Sequence, residues 1–167
     1  MSSKEAGINR REFITGPMAA MFPVPRIARE QTPLSELSET ERIVKIREAM
    51  KLEMGSLAAV ADIRLDILMQ AETVLIPFKN MTNRALQQEL NFLLSNISPL
   101  KANASLLNAG CNEILSKIDG ALTLGSLKNL QTQGDLLINK IEMLVQGTGI
   151  LIQLVNRFLV KYKTNAI

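Results

Sequence analysis

The chain has 167 residues, 47% hydrophobic and 21% charged, which supplies one cored domain and lies outside the disordered, collagen-like and disulfide-rich classes. It has no His, no Trp and one Cys, excluding His-dependent nucleophile triads, His-containing metal sites and an internal disulfide within the chain. The net charge of +3 gathers after residue 120, where Lys128, Lys140, Arg157, Lys161 and Lys163 face only Asp135 and Glu142.

Residues 1–33 read as an extended N-terminal arm. Pro17, Pro23, Pro25 and Pro33 forbid a continuous helix, while Phe13, Ile14, Met18, Met21, Phe22, Val24 and Ile27 are too apolar for a solvated linker. Phe13, Met21, Phe22 and Val24 are the candidate contacts of such an arm with a groove on this chain or a neighbour. Within the arm, Asn9-Arg10-Arg11-Glu12-Phe13-Ile14 resembles a bacterial twin-arginine export signal, with Arg10, Arg11 and Phe13 at the defining positions. The match departs from the pattern at Asn9, where Ser or Thr is usual. Prolines also interrupt the following apolar run, and no small-x-small cleavage site follows. The resemblance implies export to the periplasm; the plain reading of the same residues is an assembly arm.

From residue 34 to 167 the pattern is helical. Thr32-Pro33 is one start signal, and Ser38 with Glu41 is a capping box. A stripe through Ile43, Ile46, Met50, Met54, Leu57, Val60, Ile67, Ala71, Val74 and Phe78, with Arg64 as its polar intruder, predicts a long helix that ends or kinks at Pro77. Thr82 is the expected cap of a second helix carrying Leu86, Leu90, Leu93 and Ile97 and stopping before Pro99. Ser98-Pro99 then opens a third, with Leu100, Ala104, Leu107, Cys111, Ile114, Ile118 and Ala121. The last helix, from about Ser126, keeps heptad spacing through Leu127, Leu130, Gly134, Leu137, Ile141, Leu144, Thr148, Leu151, Val155 and Phe158. Strand signals are nearly absent. The expected fold is therefore all-α: an up-down bundle of three to four long helices, or one whose first and last helices pair between subunits as a coiled coil.

Few residues invite chemistry. Cys111 falls on an inward stripe, as a small apolar side chain does. Asp62, Asp66 and Glu72 lack the His that carboxylate-bridged di-iron bundles use. Gly147-Thr148-Gly149 sits inside a helical pattern, without the strand and Lys of a phosphate loop. The triplets at Asn80, Asn96 and Asn103 fall at or inside helices. No window of about 20 residues is free of charge, and Ile141–Val160 reads as a core helix rather than a membrane span. Arg157, Lys161 and Lys163 are where nucleic acid would bind, but a solvated helix C-terminus with favourable dipole interactions accounts for them.

The sequence thus predicts a soluble, non-catalytic structural or assembly protein without cofactor or metal, acting by helix–helix association within a virion, secretion apparatus or other multi-subunit particle. Its partner would be protein, either itself or other subunits. The interface is expected at Leu127, Leu130, Leu137, Ile141, Leu144, Leu151, Val155 and Phe158. The alternative is a twin-arginine-exported periplasmic binding domain.

Overall fold

A computed structural model describes residues 37–163. Three helices, α1 (Glu39–Leu75), α2 (Arg84–Ile118) and α3 (Leu124–Tyr162), with a short 3-10 turn at Ile76–Phe78, account for 91% of it, and no strand occurs among the described residues. The arm contacts and the export motif, Arg10 and Arg11 included, lie outside those residues, as does the Thr32-Pro33 signal.

Each boundary has a local cause. The Ser38 hydroxyl accepts from the Glu41 backbone N–H at 3.3 Å, and the Ser38 backbone N–H donates to Glu41 Oε2 at 2.9 Å, closing the capping box that starts α1. The acceptor role lowers the Glu41 pKa from its ordinary value. Pro77 cannot continue the α-helical ladder, and the chain tightens into the 3-10 turn. Asn83, one residue beyond the expected Thr82, caps α2 by accepting from the Leu86 N–H at 3.2 Å. Both residue types are competent caps; the one used is set by where the helix must begin to bury Leu86 and Leu90. Thr123 caps α3 with Ser126 as its partner, so the helix starts slightly ahead of the expected Ser126.

The break expected at Pro99 is absent: α2 runs through it, and of the three to four helices expected the bundle has three. An interior proline costs about 3 kcal/mol. Stopping there would displace Ile97, Ala104 and Leu107, all at most 3% exposed, from a continuous stripe in which one fully buried Ile or Leu contributes about 1.5–3 kcal/mol. Burial on both sides of the proline outweighs its cost.

Specific pairs set the topology. Lys51–Asp119 at 2.5 Å, Asn108 Nδ2 on the Ala58 carbonyl at 3.0 Å and Lys101–Glu72 at 2.6 Å make α1 and α2 antiparallel. Arg47 donates twice to the Ala121 carbonyl, tying the start of α1 to the α2–α3 connection. Glu89–Lys161 at one end and Gly110 beside Leu137 at the other make α2 and α3 antiparallel. Gly134 beside Met54, and Phe78 edge-on to Phe158 at 5.1 Å, show α1 and α3 running the same way. This is an up-down-up bundle.

Its interior is two apolar clusters. One gathers Met54, Leu57, Leu107, Cys111, Ile141 and Leu144 near the α2–α3 connection; the other gathers Leu68, Leu75, Leu86, Ile97, Val155 and Phe158 at the opposite end. Arg64, 2% exposed, stands between them on α1, and Thr148 is fully buried on α3. Burial pulls the Arg64 guanidinium below its usual pKa.

Candidate association surface

Most of the α3 positions expected at a helix interface face this chain's own interior. Leu127, Leu130, Ile141, Leu144, Leu151, Val155 and Phe158 are buried, and Leu137 is half-buried against Gly110. The inward face is also wider than a single heptad row, because Ile138, Val145 and Ile152 are buried beside it. A helix packed against two neighbours needs a broader apolar stripe than one in a two-stranded seam.

A second apolar row lies on the outside of α3. Leu136, Met143 and Ile150, spaced by sevens, are 58%, 69% and 59% exposed. Along α2, Phe92 and Leu106 are 57% and 71% exposed, and the exposed Pro99 stands midway between them, again at spacings of seven. The register fixed by Glu89–Lys161, Leu100–Gly147 and Gly110–Leu137 sets Leu106 across from Met143 and Pro99 across from Ile150. The two rows therefore border one groove, on the side of the α2–α3 pair turned away from α1. At the Phe92 end it deepens into a cleft floored by Leu93, Leu154 and Phe158 and rimmed by Glu89, Arg157 and Lys161.

The outward apolar residues of α1 behave differently. Leu52 and Ile63 share a face of α1 at a spacing of eleven, but Val44 and Met69 lie off it, and no three of the four align. Exposed apolar residues scattered singly are ordinary; an aligned pair of rows is not.

The groups considered for chemistry occupy structural positions. Cys111 is fully buried, and burial pushes its thiol up to about 11, the opposite of an activated nucleophile. Asp62 and Asp66 are exposed, Glu72 pairs with Lys101, and no three His, Cys, Asp or Glu side chains among the described residues are grouped to hold a metal. Lys161 pairs with Glu89, which raises its pKa, and lies 5.0 Å from the Tyr162 ring centre. Of the cations considered for nucleic acid, Lys161 is thus engaged within the chain, while Arg157 and Lys163 are exposed. α3 is long and apolar enough to cross a membrane by length and composition, but 44% of its most apolar window is buried inside the bundle.

Comparison with protein-family models, with curated proteins and with solved structures returned no match.

Proposed function

We propose that this chain is a non-catalytic structural or assembly protein, working by helix–helix association within a larger complex such as a virion or secretion apparatus. The observation that carries the reading is the pair of exposed apolar rows along the α2–α3 groove, Phe92 and Leu106 opposite Leu136, Met143 and Ile150. Heptad-spaced apolar side chains flanking a groove between two helices are what a further helix packs into. The basic residues lend a nucleic-acid reading little support, because Lys161 is paired with Glu89.

The test is velocity sedimentation of an extract from the native source, with the chain at its own expression level. The reading expects migration well above twice the monomer mass of 18.4 kDa, and loss of that species when Leu106→Lys and Met143→Lys are combined. Migration as free monomer would refute it.

A further inference from the structure

The groove also carries a symmetry, from which we infer that its occupant is the same groove on a second copy of this chain. The inference rests on the association reading and specifies the contact. Leu136 and Ile150 lie seven residues to either side of Met143 on α3. If two α3 helices cross antiparallel at Met143, Leu136 of each copy falls beside Ile150 of the other, and Met143 meets itself on the two-fold axis. This is an isologous contact, closed after two copies. The apolar row is about 21 Å long, from 1.5 Å of rise per residue.

The rest of the groove is compatible with that arrangement. α3 of the second copy, antiparallel to α3, runs parallel to α2 and lies between Phe92 and Leu106 on one side and the α3 row on the other. By symmetry α3 enters the second copy's groove in the same way. The result is a four-helix cross-section of two α2 and two α3 helices, with each α1 on the outer side. Lys140 lies three residues before Met143 and Gln146 three after it. The two flank the row on opposite sides, and the antiparallel two-fold sets the Lys140 side chains of the two copies on one flank about 9 Å apart along the helix axes, from 1.5 Å of rise per residue.

The area suits a dimer. Five large apolar side chains, each more than half exposed, present about 600 Å² on one copy. That is at the top of the range for the largest patch on an ordinary monomer, and most of the roughly 800 Å² per partner in a standard interface.

Analytical ultracentrifugation of the full chain, from about 1 to 200 μM, tests this. The dimer should form within that range, and Met143→Lys and Leu106→Lys should each raise its dissociation constant at least about 100-fold. A buried unpaired ammonium costs several kcal/mol, and each 1.4 kcal/mol is tenfold. Both residues are about 70% exposed, so helicity by circular dichroism should stay at the wild-type level. Independently, Met143→Cys under diamide should give a disulfide-linked dimer, whereas Leu52→Cys on α1, 64% exposed, should not. A chain monomeric at 200 μM, a dimer indifferent to both lysines, or equal cross-linking at both cysteines would each overturn the inference. So would a monomer that floats with phosphatidylcholine–phosphatidylglycerol vesicles and loses flotation on Met143→Lys, because the groove would then meet lipid. A purified monomer from a chain that sediments as a large species in extract would refute the second copy alone. A monomer in both would refute the association reading as well.

Discussion

Adjacent residues on α3, Leu144 and Met143, should respond oppositely to truncation. Leu144 is 1% exposed inside the cluster formed with Met54, Leu57, Leu107 and Cys111, whereas Met143 is 69% exposed. Leu144→Ala removes apolar atoms from a filled interior and leaves a cavity, a combination that costs about 2–5 kcal/mol. For a chain of this size that lowers Tm by roughly 4–20 °C, at about 2–4 °C per kcal/mol. Met143→Ala removes atoms that face solvent in the isolated chain and should change stability by less than about 0.5 kcal/mol. The assay is urea unfolding followed at 222 nm, at a protein concentration low enough to keep the chain monomeric, with m compared among the variants. If Met143→Ala costs as much as Leu144→Ala, or Leu144→Ala costs under about 1 kcal/mol, α3 does not turn the Leu144 row inward and the single-chain bundle is wrong.

Three further outcomes follow from local features. Pro99→Ala restores a helical N–H on an exposed position of α2 and should raise stability by about 1–3 kcal/mol, read in the same urea assay; no gain would mean that the ladder is already broken there. Gly55→Ala places its Cβ in open space and should stabilise by about 0.5–1 kcal/mol, while Gly134→Ala puts a Cβ 2.9 Å from Met54 Cε, which must shift, and should gain less; equal gains would show that the buried Met54 side chain has room to move aside. Stability should be flat between about pH 5 and 8, because the chain has no His. Glu41, Glu113 and Asp119 have folded pKa values below their ordinary 4.5, 4.5 and 3.8, held there chiefly by bonds from Ser38, Lys117 and Lys51. Their contribution is present above those ordinary values and is lost as pH falls through the folded ones. Cys111 has the opposite sign: its thiol ionises near 9 when unfolded and about 11 when folded, so its contribution is present below 9 and lost between 9 and 11. Thermal melts from pH 2 to 11 check both limbs; a step near pH 6.5 would refute the assignment.

What the sequence could and could not convey divides along a physical line. Ser38 with Glu41, the stop at Pro77 and the heptad period of Leu127–Phe158 are legible, because a cap, a missing N–H and a period act within a few residues of themselves; that this row lines the chain's own core, and not a contact with another chain, is not. Pro99 was misread for the complementary reason. Its local cost is real, but the stripe through Ile97, Leu100 and Ala104 keeps its spacing across it, and the burial that decides the matter comes from α1 and α3, distant in sequence. The groove was hidden differently. Leu136, Met143 and Ile150 carry the same spacing of seven as the row beside them, and α3 shows two apolar rows, at Leu137–Leu144–Leu151 and at Leu136–Met143–Ile150, offset by one residue. Periodicity gives the angle between two such rows and says nothing about which one faces the chain's own core. That choice is made when α1 packs Met54 against Gly134, turning one row inward and leaving the other to solvent. A helix with an apolar row on each side of its contact with α2 has more apolar surface than its two neighbours in the bundle cover, and this surplus is what supports the proposed association.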